Sequence, residues 1–172
     1  MPGPRGERAR RLDPGETELV ARAIHEDYLR RRKADGTLGR DDPSLRDWEE
    51  LDGSLRASNK DQADDIVGKL ASIGCEVVPA GQASDDQAQF EADEIEMLSR
   101  AEHARWVEDR LRQGWRLGPR RDVPGRRSPY LVPWEDLSEE MRDLDRDSVR
   151  AIPRLLAQCG LSVVRRRSSG ER

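Results

Sequence analysis

The run Gly114-Trp115-Arg116-Leu117-Gly118-Pro119-Arg120-Arg121-Asp122 carries the residue types best suited to binding chemistry. Two glycines and a proline stiffen a loop, and a tryptophan sits on it with arginines on either side. A loop-borne indole offers a flat face for stacking an aromatic base, worth roughly 1–3 kcal/mol. Guanidinium groups beside it offer bidentate hydrogen bonds to phosphate or carboxylate. A platform next to such forks is what a nucleotide requires. The competing reading is that Trp115 folds back over the preceding helix end as packing. From Arg110 to Arg127 there are seven arginines against one acid, Asp122, while the whole chain has a net charge of −4. So local a concentration favours a small anionic ligand over a broad nucleic-acid surface.

Other residues capable of chemistry fit structural roles better. His25 and His103 are the only histidines, each with an acidic neighbour, Glu26 and Glu102. They fall at matching helix positions, which favours a repeated hydrogen bond to a neighbouring loop over catalysis. Trp48 and Trp134 both follow a Pro-x-Leu run and are expected as core anchors. The acidic pairs Asp41-Asp42 and Glu139-Glu140 sit at loop ends or helix caps. Cys75 and Cys159 have no His cluster beside them, so they are expected as buried small residues, not zinc ligands. Nothing resembles a P-loop, a nucleophile elbow or a metal-binding helix. The expectation is a non-enzymatic protein with no catalytic residue, metal or cofactor.

The elements that position these residues can be read from periodicity. Asp13-Pro14-Gly15-Glu16 is a helix start, followed by Leu19, Val20, Ala23, Ile24 and Tyr28 at helical spacing to about Lys33. Gly36 and Gly39 break that helix, and Leu45 to Leu51 forms a short extended or turn segment around Trp48. Ser58 with Asp61 reads as the next cap, before the stripe Ala63, Ile66, Val67, Leu70 and Ile73, which Gly74 stops in the left-handed conformation. Cys75 to Val78 is a short strand. Ser84 and Gln87 read as a box opening a long helix from Asp85 to about Gln113. Its expected core stripe is Met97, Ala101, Ala104 and Leu111 with Val107 and Leu98 at the margins, and His103, Trp106 and Arg110 form a second stripe. Ser138 caps a short turn, and a helix from about Asp145 to Gln158 carries Val149, Ile152, Leu155 and Leu156, with Pro153 kinking it or marking an irregular start. Gly160 ends it and Leu161 to Val164 is the second strand.

The two halves match each other. At an offset of 129 − 43 = 86, Pro43, Leu45, Trp48, Glu49 and Leu51 fall on Pro129, Leu131, Trp134, Glu135 and Leu137. Arg56, Ile66, Leu70, Gly74, Val77 and Val78 fall on Arg142, Ile152, Leu156, Gly160, Val163 and Val164. Roughly a third of the positions from Pro43 to Val78 are identical to their counterparts, well beyond what unrelated segments give. An offset of 78 places Ala23, His25 and Tyr28 on Ala101, His103 and Trp106, so the intervening loop is 86 − 78 = 8 residues longer in the second copy. The expected fold is α+β and helix-dominant, a pseudo-twofold pair of repeats, each helix–loop–helix with a short strand. Residues 1–15 are expected as a disordered arm, 16–79 as the first repeat, 80–90 as a linker, 91–165 as the second repeat and 166–172 as a disordered tail.

Composition bounds the rest. An apolar fraction of 34% against 38% charged residues implies an economical core and much solvated helix surface. A mean hydropathy of −0.93 agrees. No apolar run approaches a membrane span and no signal-peptide core follows Met1, so a soluble, cytoplasmic protein is expected, with no membrane partner.

His103, Trp106, Gly114-Trp115, Gly118, Arg121-Asp122 and Ser128-Pro129-Tyr130-Leu131-Val132-Pro133 together resemble the signature of the ryanodine receptor repeat, or RyR domain. The likeness continues through Leu137 and Asp145 to Gly160 and covers most of residues 18–165. It implies a small soluble protein of bacterial type with two tandem repeats. It further implies an adenine nucleotide held between paired repeats, with Trp115 as stacking residue and Arg121 and Asp122 near it. The first half departs from the pattern, since Thr37 stands where a second loop Trp would be. The expected pocket is therefore one-sided, completed by Tyr28 or Trp48. The expected ligand-binding set is Trp115, Arg120, Arg121, Asp122, Arg126, Trp106, His103 and Tyr28. The first function it suggests is a sensor for an adenine nucleotide or a similar small anion. The alternative is a protein-interaction module whose Arg loop docks an acidic partner without a small molecule; nucleic acid ranks third.

Overall fold

In the computed structural model, residues 10–34, 42–82 and 88–166 are described. The expected N-terminal arm up to residue 9, the breaks at Gly36 and Gly39, Thr37, the box at Ser84 and Gln87, and the tail from residue 167 lie outside them. The chain is helix-dominant α+β. Its described residues divide into two compact units, one of 10–34, 46–82, 88 and 153–166, the other of 42–45 and 89–152.

In the first unit, helix α1 (Pro14–Ala34) opens on a reciprocal box. Asp13 Oδ1 accepts from Glu16 N at 2.9 Å, and the Glu16 carboxylate accepts from Asp13 N at 3.0 Å. Helix α2 (Gly53–Ser72) packs on α1 through Val20, Ile24, Ala63, Ile66 and Leu70, all buried. Thr17 Oγ1 donates to Asp64 Oδ1 at 2.7 Å across the same contact. The expected cap at Ser58 is corrected: α2 begins at Gly53 and Ser58 lies inside it. Asp52 captures the first free donors instead, accepting from Ser54 N and Leu55 N, both at 2.9 Å. Gly74 follows with φ +71°, as the helix stop requires.

Strand β1 (Cys75–Pro79) pairs antiparallel with a strand near the C-terminus, Leu161–Arg165, labelled β4 below. Val77 lies opposite Val163, and their numbers differ by 86, the offset of the sequence match. The flanking bonds follow the same relation: Ala80 N donates to Gly160 O at 2.9 Å, and Arg166 N donates to Gly74 O at 2.8 Å. Cys75, Val77, Leu161 and Val163 are buried along this ribbon.

The second unit is built on helix α3 (Ala92–Arg112). The expected start at Asp85 is corrected. Ala88 N donates to Val163 O at 2.9 Å, residues 88–91 are not helical, and the Glu94 carboxylate accepts from Glu91 N at 2.8 Å to open the helix there. The expected core stripe is also corrected: Met97 and Leu111 are 46% and 56% exposed, and Ala101 and Ala104 face solvent. Leu98, expected at the margin of that stripe, is buried, and the same face carries Ser99, Glu102, His103 and Asp109. Polar side chains can occupy that face because they are paired there, Ser99 Oγ donating to Ile95 O and Arg105 gripping Glu102. In the first unit Leu19, at the position matching Met97, is likewise exposed where a core residue was expected.

Short strands β2 (Arg116–Leu117) and β3 (Arg127–Ser128) pair parallel, and a 3-10 turn at Trp134–Asp136 leads to helix α4 (Glu139–Gln158). The expected break between a turn after Ser138 and a helix from Asp145 is corrected, since α4 is one helix. Ser138 Oγ accepts from Met141 N at 3.3 Å, and its first turns carry the ion pairs Glu139–Arg142 and Asp143–Arg146 instead of an apolar stripe. Pro153 lies within the helix. Val149, Ile152, Leu155 and Leu156 are buried as their spacing implies. No helix among the described residues is long and apolar enough to cross a membrane.

Candidate functional site

Helix α3 ends in a cap that decides where Trp115 goes. Gly114 takes φ +81°, Gly114 N donates to Leu111 O at 3.0 Å, and Trp115 N donates to Arg110 O at 2.9 Å. This is a Schellman closure, which brings the second residue past the cap against the helical residue five positions earlier. That pair is Trp115 and Arg110. The Arg110 guanidinium carbon lies 5.3 Å from the Trp115 ring centre and 5.7 Å from that of Trp106, one turn back on α3. Both rings are half-buried, so the Trp115 backbone folds back over the helix while part of its ring surface stays in solvent. A guanidinium lying over an indole is attracted by the ring quadrupole, and Arg110 Nη1 also donates to Gln113 Oε1 at 3.2 Å.

Beyond Trp115 the loop is braced by its own backbone. Arg116 N donates to Arg126 O at 2.8 Å, and Gly118 N donates to Ser128 O at 3.2 Å. A Cβ at Gly118 would lie 2.8 Å from the Cβ of Arg127, so the close strand approach needs a glycine there. Asp122 organises the distal turn: its Oδ1 accepts from Gly125 N at 3.0 Å, and its backbone exchanges bonds with Arg127 at 2.8 and 2.9 Å.

The arginines then divide by occupation. Arg126 donates through Nη1 to Gln113 O at 2.7 Å, satisfying a carbonyl at the end of α3. Arg121 pairs through Nη2 with Asp42 Oδ2 at 2.6 Å. Arg112, Arg116, Arg120 and Arg127 are exposed. The arginine at the Trp115 ring is thus Arg110. The expected set had not included it, although the sequence placed it in one helical stripe with His103 and Trp106. A glycine two residues after the end of α3, at Gly114, was the signal that could have found it.

His103 and Trp106 form the inner wall of this ladder. His103 is buried, and its Nε2 donates to Val132 O at 2.7 Å while Nδ1 lies 3.5 Å from Asp145 Oδ2. Its ring stacks on Trp106 at 6.0 Å and 25°, and meets Trp134 edge-on at 6.0 Å. Burial works against its charged form, but the bonds to Asp145 and the Val132 carbonyl, with Glu102 nearby, raise its pKa above the ordinary 6.5. Trp134 is buried and donates through Nε1 to Glu96 Oε1 at 3.0 Å.

The first unit holds matching contacts at the same sequence offsets. His25 Nε2 donates to Arg46 O at 2.7 Å, and Trp48 Nε1 donates to Glu18 Oε1 at 3.2 Å. Arg22 pairs with Glu49, as Arg100 does with Glu135. Tyr28, expected in the ligand set, lies on α1 with its ring 6.4 Å from His25. Among the described residues no group of three or more His, Cys, Asp or Glu is arranged to hold a metal ion. A model of the RyR domain matches residues 89–165, the span from the start of the second unit through the Trp115 loop and α4 to the end of β4.

Proposed function

Taking residues 89–165 as a RyR domain, we propose that the protein is a ligand-sensing module for a small anion bearing an aromatic ring, with an adenine nucleotide as the first candidate. The observation that carries this reading is the ladder Trp106–Arg110–Trp115 at the end of α3, with Arg110 5.3 Å from the Trp115 ring. Trp115 offers the stacking surface, Arg110 turns from Gln113 to the anion as it binds, and the exposed Arg112, Arg116 and Arg120 raise the local positive potential that draws an anion in. Arg121 joins when the anion displaces Asp42. Asp122 and Arg126 shape the loop without touching the ligand, and His103 fixes the ladder to the core.

The repeated contacts support the further reading that the chain is one unit used twice. His25 and His103 each reach a backbone oxygen at 2.7 Å, Val77 faces Val163, and Gly74 and Gly160 share φ values of +71° and +74°. In this reading the first copy is a scaffold and the second does the binding.

A second function is favoured by the exposure of Arg112, Arg116, Arg120 and Arg127, while the guanidinium over the Trp115 ring is that of Arg110. They would suit docking of an acidic protein surface. A thermal-shift series with ATP, ADP and AMP separates the two. The sensor reading requires a raised melting temperature with at least one of them, lost in Trp115→Ala. No shift at saturation with any of the three rules it out and leaves the docking surface.

A further inference from the structure

The Arg110 ladder has a counterpart in the first unit, at the residues offset by 78. Arg32 matches Arg110, Tyr28 matches Trp106 and His25 matches His103. The geometry is also shared. The Arg32 guanidinium carbon lies 5.4 Å from the Tyr28 ring centre, against 5.7 Å for Arg110 and Trp106. The His25 and Tyr28 rings are 6.4 Å apart and inclined by 31°, against 6.0 Å and 25° for His103 and Trp106.

Two further facts separate Arg32 from an ordinary basic residue closing a helix. Among the described residues, its neighbouring carboxylates are already taken: Asp27 by Arg30, Arg31 and Arg154 at 3.1, 3.1 and 2.6 Å, and Glu26 by Arg22 at 2.9 Å. Among the described residues, Arg32 itself has the Tyr28 ring as its partner and no ion pair. A guanidinium backed by a ring loses less freedom when it grips an anion, and its fork stays aimed in its own plane.

We propose that Arg32 on the Tyr28 ring is a second anion subsite, taking a phosphate or carboxylate group independently of the Trp115 loop. This rests on the reading of Arg110 and Trp115 as the first site. The first unit would then be more than scaffold, and the chain would carry two anionic ligands, one per unit. The subsite lacks a loop tryptophan at the position matching Trp115, so it grips the anion and selects little among bases.

The test is equilibrium dialysis of radiolabelled ADP against the full chain, comparing wild type, R32A, R32K, R110A and R32A/R110A. Wild type binds two equivalents, R32A and R110A one each, and the double variant none. R32K keeps the charge without the planar fork, so one of its two sites weakens by about tenfold. Two equivalents that survive R32A, or a single equivalent that R110A removes and R32A leaves intact, overturn the second subsite while the Trp115 site stands. No binding by any form overturns both.

Discussion

Asp42 and Arg121 are joined by an ion pair of 2.6 Å across 79 residues of sequence, within the second unit. Asp42 is held in place for this role, its Oδ1 accepting from Ser44 N at 2.9 Å and Ser44 Oγ at 2.7 Å. Burial raises its pKa, but the Ser44 bonds and the Arg121 charge outweigh that and leave it below the ordinary carboxylate value. The Asp42 carboxylate thus occupies the fork an anionic ligand would use on Arg121.

Asp42→Asn keeps the Ser44 turn and removes the competing charge. ADP affinity, measured by calorimetry, is expected to rise by roughly fivefold, the scale of a partly exposed ion pair. Unchanged or weaker binding would show that Arg121 does not meet the ligand.

Trp115→Ala removes the stacking surface and the outer ring of the Arg110 ladder. Any shift in melting temperature produced by ADP is expected to vanish, while Trp115→Phe keeps part of it. Because the Trp115 ring is only half-buried, the Ala variant is expected to fold with a melting temperature near that of wild type. A full ADP response in Trp115→Ala would remove this residue from the site.

His103 gives the fold a pH dependence of definite sign. Its folded pKa is raised, so its contribution is fully present below the unfolded value near 6.5 and is lost as pH rises through the folded value. The groups facing it are Asp145 on α4, the Val132 carbonyl, and Glu102 on its own helix. Urea unfolding from pH 5.5 to 8.5 should therefore show the advantage of wild type over His103→Gln shrinking as pH rises. A constant or growing advantage would mean that the Asp145 interaction does not favour the imidazolium.

Gly118→Ala places a Cβ 2.8 Å from the Arg127 Cβ, in the stem of a side chain on a paired strand. The strand must shift, at a cost of about 1–3 kcal/mol in chemical denaturation. Trp115 emission should move with it, because Arg116 and Arg126 share the same backbone brace. A neutral variant would mean that the loop absorbs the methyl without loss.

The parts of this fold legible in the sequence are those where burial follows apolar spacing. Ala63, Ile66 and Leu70 on α2, and Val149, Ile152 and Leu156 on α4, lie where their period puts them. Helix α3 defeats that logic. Its buried face holds His103, Glu102 and Asp109 while Met97 and Leu111 sit in solvent, because hydrogen-bonded polar groups can replace apolar ones against a small core. Helix starts were displaced where two acceptable caps compete, as Asp52 and Ser58 do. For the candidate site, residue types identified the loop, but spacing could not say which arginine meets Trp115. That depends on the cap at Gly114, which carries Trp115 back to Arg110 and leaves Arg121 to Asp42.

The β1–β4 ribbon has a practical consequence for anyone dividing the chain. Residues 89–165, expressed alone, would retain Leu161–Arg165 and lose Cys75–Pro79, the strand it pairs with. Val163 and Leu161, both buried in the full chain, would then lie on an open edge, and a lone strand of that kind recruits copies of itself. The fragment's sedimentation would report this self-association, and adding back residues 46–82 in trans should suppress it.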